Sequence, residues 1–215
     1  MIKGVIFDLD GVLVHTDKFH FLAWKALADK LGIYFDEKIN NRLRGVSRME
    51  SLEIILERSK ISYTAEEKEA FAAEKNEKYR DFLRTMTPDD VDKGVRETLE
   101  KLKRAGLKIA VGSSSKNAGL ILAQTGLTDC FDAVSDGNGL KKSKPDPEVF
   151  LKAAAMLGLD GEECAVVEDA VAGIKAAKAA EMLSFAVGDA ALSDEADFRM
   201  KSIEELPGII AEVNK

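Results

Sequence analysis

The chain has 215 residues, of which 46% are hydrophobic and 32% charged, and its formal net charge is −7 at pH 7. That length suits one good core, or a core domain with a smaller attached unit, and the composition excludes a disordered chain. The negative balance argues against general nucleic-acid binding, which depends on massed Lys and Arg, but leaves room for a small ligand held by a few local cations. No apolar run approaches the roughly 20 residues of a membrane helix, and the short run in MIKGVIFDLDG leads into carboxylates, unlike a signal peptide. A cytoplasmic monomer with no membrane or nucleic-acid partner is expected. Cys130 and Cys164 stand alone in apolar contexts and read as two buried free thiols.

In chain order, the first β-rich run is IKGVIF, which stops at Asp8. Residues 17–92 contain no convincing strand. Their apolar residues recur at helical spacing, with Phe21, Trp24, Leu27 and Leu31 as one stripe and Leu52, Ile55 and Leu56 as another, which predicts an inserted all-helical domain. Gly94 leads into a helix carrying Val95, Leu99 and Leu102 that ends at Gly106, where a left-handed residue closes many helices. Four further runs follow: LKIAVG to Ser113, FDAVS to Asp136, ECAVV to Glu168 and LSFAVG to Asp189, with amphipathic helical stretches between them. Near-continuous apolar strands alternating with helices predict a parallel sheet buried on both faces. The expected architecture is a doubly wound, Rossmann-like α/β core formed by residues 1–16 and 93–215, with a helical cap over 17–92. Ligands of such sheets bind beyond the carboxyl ends of the strands, where these polar residues converge.

FDLDG places Asp8 and Asp10 in the turn after the first strand, and Gly11 frees the backbone there. A carboxylate can attack phosphorus to give an acyl phosphate while a second one handles the proton of the alcohol; D-x-D is also common in turns and caps. Glu168 and Asp169 follow the ECAVV strand and precede a helix starting near Val171. With Asp8 and the backbone carbonyl of Asp10 they would supply the oxygen ligands that Mg²⁺ requires, although Asp169 could instead cap that helix. Ser113, Ser114 and Ser115, followed by Lys116 and Asn117 at a helix start, offer hydroxyls and backbone N–H groups to an anion. Lys144, in the loop SKPDP, could hold an ammonium against a phosphoryl group or simply be solvated.

Together these four motifs, in this order and over essentially the whole chain, resemble the haloacid dehalogenase superfamily of phosphotransferases. The resemblance implies Asp8 as nucleophile, Asp10 as acid/base, and Ser113 and Lys144 as the residues that orient and neutralise the phosphoryl group, with Mg²⁺ bridging it to Asp8.

Within that superfamily, HFLAWKAL from His20 to Leu27, GVSR from Gly45 to Arg48, Lys75–Asn76 with Tyr79, and SSSKN resemble the β-phosphoglucomutase family. Such enzymes interconvert β-glucose 1-phosphate and glucose 6-phosphate through β-glucose 1,6-bisphosphate, so two anion sites are implied. By this resemblance His20, Trp24, Gly45, Val46, Ser47, Arg48 and Lys75 on the cap, with Ser114, Ser115, Lys116 and Asn117 on the core, contact the sugar phosphate. Arg48 in particular holds the phosphate that is not reacting, unless it only pairs with Glu50 or Glu53. His20 is implied beside Asp10, and Trp24 reads equally as sugar platform or core. His15 departs from the family, which usually carries Asp at that hinge. Two other functions stay open: a sugar-phosphate phosphatase, for which the second anion site is surplus, and a non-catalytic sugar-phosphate sensor, which retention of Asp8 and Asp169 disfavours.

Overall fold

The computed structural model describes residues 1–43 and 47–215 and divides into two compact units, Met1–His15 with Met86–Lys215, and Thr16–Thr85. The first unit contains β1 (Gly4–Phe7), α5 (Lys93–Arg104), β2 (Lys108–Gly112), α6 (Ala118–Gln124), β3 (Ala133–Ser135), α7 (Glu148–Leu157), β4 (Cys164–Glu168), α8 (Val171–Ala179), β5 (Leu183–Ala186), β6 (Phe198–Arg199) and α9 (Leu206–Val213). The second holds α1 (Asp17–Lys30), α2 (Glu37–Asn41), α3 (Arg48–Leu56) and α4 (Ala65–Leu83).

All six strands are parallel, in the order β3-β2-β1-β4-β5-β6. The doubly wound α/β core expected from the runs is therefore the observed fold. Ile6, Ala110, Cys164 and Val166 turn one way, onto Val149, Phe150 and Ala153 of α7 and Ala176 and Ala177 of α8. The alternate residues Val5, Phe7, Ile109, Val111, Ala165 and Val167 are equally buried. This double burial is why the strands read as unbroken apolar runs. The strand order reverses between β1 and β4, and such a switch point is where open α/β sheets bind ligands. Phe7 is level with both Val111 and Val167, so the chain leaves all three strands at nearly the same height.

The sheet has one strand more than its apolar runs suggest. β6 is only Phe198–Arg199, and is held by Phe198 stacked on Phe185 at 4.7 Å and by Asp197 accepting from the backbone N–H (2.8 Å) and hydroxyl (2.6 Å) of Ser184. Two residues are too few to show a period. The return from the helical unit also joins the sheet unit at Met86 rather than at 93. Thr87 caps the short turn at Pro88–Asp90, and Arg96 of α5 donates to the carbonyls of Pro88 (3.1 Å) and Thr125 (2.7 Å).

In the helical unit, Trp24, Leu27, Leu52, Ile55 and Leu56 are buried in one cluster with Phe35 and Ile39, and half-buried Phe21 and Leu31 pack against it, as the stripes imply. α4 starts with a capping box: Thr64 Oγ1 accepts from Glu67 N–H (3.2 Å) and the Glu67 carboxylate accepts from Thr64 N–H (2.8 Å). Gly106 adopts φ +79 just after α5, as a helix-closing glycine does.

Of the two cysteines, Cys164 is buried but Cys130 is only half-buried, because it closes a surface turn at Thr128–Cys130 rather than entering the core. Burial pushes the Cys164 thiol up to about 11. A disulfide-exchange reagent at pH 8 should therefore titrate Cys130 in the native protein and Cys164 only after denaturation. Rapid loss of both thiols under native conditions would contradict the burial of Cys164. Among the described residues no helix is long and apolar enough to cross a membrane.

Candidate active site

Asp8 is the first residue beyond β1, and its N–H donates to the Val167 carbonyl (2.9 Å), which keeps the turn on the sheet. The chain then doubles back: Gly11 N–H donates to Val14 O (2.7 Å), and Asp10 bridges to Val14. Gly11 is required here. It has φ +93, and a Cβ on it would lie 2.0 Å from Oδ2 of Asp169. Asp8, Glu168 and Asp169 offer carboxylate oxygens that all lie within 4.8 Å of one another.

Lys144 joins this group from the loop before α7. Its Nζ donates to Asp8 Oδ1 (2.5 Å) and to Glu168 Oε1 (2.5 Å). The second Glu168 oxygen accepts from Ala170 N–H (2.9 Å), and the residue is buried. Room for it comes from Gly173 in the first turn of α8, where a Cβ would fall 1.9 Å from Glu168 Cδ. The N-cap of α8 is Ala170, so Asp169 does not serve as its cap; its backbone carbonyl instead accepts from Ala190 N–H (2.8 Å).

Burial pushes the Asp8 carboxyl well above the usual carboxylate range; Lys144 opposes the shift, and Glu168 and Asp10 add to it. For Lys144, burial works against the charge, but Asp8 and Glu168 outweigh it and raise its pKa above the usual value. Asp8, Asp10, Glu168 and Asp169 thus gather four acids here, and the Lys144 ammonium pairs with two of them, Asp8 and Glu168. Surplus negative charge on an all-oxygen donor set fits a hard divalent cation such as Mg²⁺.

One strand over, Ser113 continues β2 with its N–H on Ser135 O (3.0 Å), and its Oγ accepts from Ser115 N–H (3.1 Å). Ser115 Oγ in turn accepts from Asn117 N–H (3.2 Å). Gly137 supports this loop, with its N–H on Ser115 O (3.1 Å) and no room for a Cβ beside Ser114 O (2.3 Å). Ser113 and Asn117 are buried, Ser115 half-buried, and Ser114 and Lys116 exposed.

The candidate residues of the helical unit form their own cluster. Buried Lys75 lies 4.7 Å over the Trp24 ring and 4.8 Å over the Tyr79 ring, and its Nζ donates to His20 Nδ1 (2.9 Å). Trp24 is at the same time part of the core of this unit. The His20 ring packs against Tyr79 at a tilt of 31°, their centroids 4.0 Å apart. Arg48 is half-buried and close enough to act electrostatically on His20 and Tyr79. Neither Glu50 nor Glu53 pairs with it among the described residues; Glu53 is taken by Lys68 (2.7 Å). Ser47 caps α3, accepting from Glu50 N–H (3.2 Å). Gly45 and Val46 lie outside the described residues. The sequence alone did not single out Gly173, whose importance lies in a distance to Glu168; the run of small residues VAGIKAA is its only signal.

Burial, then Lys75, then Arg48 hold the His20 imidazole well below the ordinary value of 6.5. The folded protein therefore binds this proton more weakly than the unfolded chain. The stability due to neutral His20 is full above pH 6.5 and is lost as pH falls below that value. Between pH 7 and pH 5 the unfolding free energy of the wild type should drop by up to about 1.4 kcal/mol per pH unit more than that of His20→Gln. Urea melts at a series of pH values measure this, and identical slopes would show that folding does not suppress protonation of His20.

Residues 2–181 match the model of the haloacid dehalogenase-like hydrolase family. Over 206 residues the chain is 43% identical to a β-phosphoglucomutase of Bacillus subtilis, covering 95% of this chain and 91% of the relative. A phosphorylated-carbohydrate phosphatase of Thermotoga maritima is 33% identical over 181 residues, covering 83% of this chain and 81% of the relative. Among solved structures, a β-phosphoglucomutase from Clostridium difficile superposes with a TM-score of 0.90 at 40% identity, covering 100% of this chain and 98% of that one. A buried aspartate at the switch point of a parallel sheet, an ion-paired lysine and an acidic pair one strand away thus accompany likeness along the whole sequence, and the chain belongs to the haloacid dehalogenase-like hydrolase family, within its β-phosphoglucomutase group.

Proposed function

We propose that the protein interconverts β-glucose 1-phosphate and glucose 6-phosphate through β-glucose 1,6-bisphosphate, with Asp8 as the residue that carries the phosphoryl group. Phosphoryl transfer at Asp8 is supported by its buried carboxylate, 2.5 Å from the Lys144 ammonium and clustered with Glu168 and Asp169, and the choice of a sugar-phosphate mutase by the 43% identity to the Bacillus β-phosphoglucomutase. An Asp8 oxygen attacks phosphorus, the P–O bond to the sugar breaks, and Asp10 gives its proton to the leaving oxygen. In the return half, Asp10 takes the proton of the incoming sugar hydroxyl as that oxygen attacks the phosphoaspartate and frees Asp8. Lys144 and the Ser113 hydroxyl hold the equatorial phosphoryl oxygens. Asp8, Glu168, Asp169 and the Asp10 carbonyl would hold Mg²⁺, which when bound neutralises charge on the phosphoryl oxygens. Arg48 supplies a cation for the phosphate that is not reacting, and the loop Ser114–Asn117 by itself offers hydroxyls and N–H groups to an anion.

The likeness to the Thermotoga phosphatase supports a second reading, in which water accepts the phosphoryl group. The two separate in one assay: protein, Mg²⁺, β-glucose 1-phosphate and a trace of bisphosphate, followed for glucose 6-phosphate and for free phosphate. Glucose 6-phosphate should dominate. Release of phosphate matching substrate loss would replace the mutase by a phosphatase.

A further inference from the structure

Lys144 sits at the end of an irregular stretch in which Lys141, Lys142 and Ser143 are exposed. A lysine is a point charge on a flexible stem, so its aim depends on how firmly its backbone is held. The structure holds it from α7. Glu148, the first residue of that helix, is half-buried; its Oε2 accepts the backbone N–H groups of Lys141 (3.0 Å) and Lys142 (2.9 Å), and its Oε1 pairs with Lys152 Nζ (2.7 Å). Lys152, one turn along, also donates to the carbonyl of Gly139. On the other side of Lys144, Asp146 N–H donates to Ser143 O (3.1 Å) and Asp146 Oδ1 accepts from Glu148 N–H (3.1 Å). α7 is itself fixed, with Val149, Phe150 and Ala153 fully buried on the sheet and Lys144 Nζ 4.7 Å over the Phe150 ring.

We propose that Glu148 is a positioning residue of the reaction: by tying the Lys141 and Lys142 amides to the first turn of α7, it fixes the loop from which Lys144 reaches Asp8 and Glu168. The inference rests on the role given to Lys144 above. Lys152 first, then the Lys142 N–H, hold the Glu148 carboxyl down at about 2, so the clamp stays charged at any working pH. The other ties between this loop and α7 fall on Gly139 and Asp146, so the two amides just before Lys144 are held to the helix by Glu148, while the Lys142–Asp146 pair (3.2 Å) joins two loop residues to each other.

Glu148→Ala, Glu148→Gln, Glu148→Asp and Lys152→Met would be compared with the wild type. The measurements are acetyl phosphate hydrolysis, β-glucose 1-phosphate isomerisation, Mg²⁺ affinity by calorimetry and hydrogen exchange of the 141–142 amides. Glu148→Ala should lower kcat of both reactions about 10- to 100-fold, the cost of a small misplacement, while KM and Mg²⁺ affinity stay nearly constant and the two amides exchange faster. Glu148→Gln keeps an oxygen for both N–H groups and should restore most of the loss. A folded Glu148→Ala with wild-type kcat overturns the proposal, as does equal loss in Ala and Gln without faster exchange. Should Glu148→Ala not fold, Glu148→Asp decides: it keeps the charge but draws the carboxylate one methylene back from the two amides, and an unchanged kcat would again overturn the proposal; Lys152→Met, which leaves both amide bonds in place, should keep a near wild-type kcat. A wild type that hydrolyses acetyl phosphate without isomerising the sugar ends the mutase reading but leaves the clamp to be judged on hydrolysis; absence of both reactions ends both.

Discussion

Asp8→Asn abolishes isomerisation and acetyl phosphate hydrolysis alike, with a loss on the order of 10⁴-fold or more, because an amide has no anionic oxygen to attack phosphorus. The substitution keeps the shape of the side chain and an oxygen that can accept from Lys144, now at 2.5 Å from Asp8 Oδ1. It also removes one of the charges that crowd Glu168, so the melting temperature should hold or rise. Rapid acid quench with labelled acetyl phosphate supplies the direct check: label should appear on the wild-type chain and be absent from the variant. Substantial turnover by a contaminant-free Asp8→Asn preparation would rule out a covalent intermediate at this residue.

Arg48→Ala removes isomerisation and spares hydrolysis. Burial already holds the Arg48 pKa below the usual guanidinium value, and no carboxylate pairs with it among the described residues, so this cation is desolvated in advance of any ligand. Two charge-assisted bonds to a phosphate are worth about 3–6 kcal/mol together, which places the loss between roughly 10²- and 10⁴-fold in kcat/KM for the sugar phosphate. Arg48→Lys should recover little, because an ammonium cannot offer the two parallel donors of a guanidinium. Acetyl phosphate has no second phosphate, so its slow hydrolysis should stay within about threefold of wild type if the Asp8 cluster alone serves it. Parallel loss of both reactions would make Arg48 structural; unimpaired isomerisation would put the distal phosphate elsewhere.

The strand ends were legible because each parallel strand is buried on both faces, which forces an apolar run and makes the first polar residue after it conspicuous. That is how Asp8, Ser113 and Glu168 stand out, and the register of β1 with β2 and β4 sets them at nearly one level. Lys144 was visible as a lysine just before Pro145 and Pro147, yet its contact with Asp8 spans 136 positions of sequence and no local pattern encodes it. Glu148 and Gly173 were harder still. One looks like an ordinary first-turn acid and the other like a helix-weakening glycine until Glu168 and the loop amides are placed beside them. β6 and the burial of Cys130 were misjudged for the same reason: a two-residue edge strand and a surface turn are decided by neighbours distant in sequence.

The helical unit leaves and rejoins the chain at Thr16 and Thr85, and Asp8, Asp10, Ser113, Lys144, Glu168 and Asp169 all fall outside it. Whatever sequence drift occurs between those two crossings cannot touch the carboxylates or the lysine directly. On the proposed mechanism, a lineage could therefore rewrite residues 16–85 to accept a new phosphate ester while inheriting the residues assigned to the phosphorus chemistry unchanged. Relatives named as mutases and as phosphatases at comparable similarity are what such separable inheritance would leave behind. For laboratory evolution the corollary is practical: libraries confined to 16–85 should alter which ester is turned over, whereas libraries in the remainder, outside the Ser114–Asn117 loop, should mostly alter whether any is.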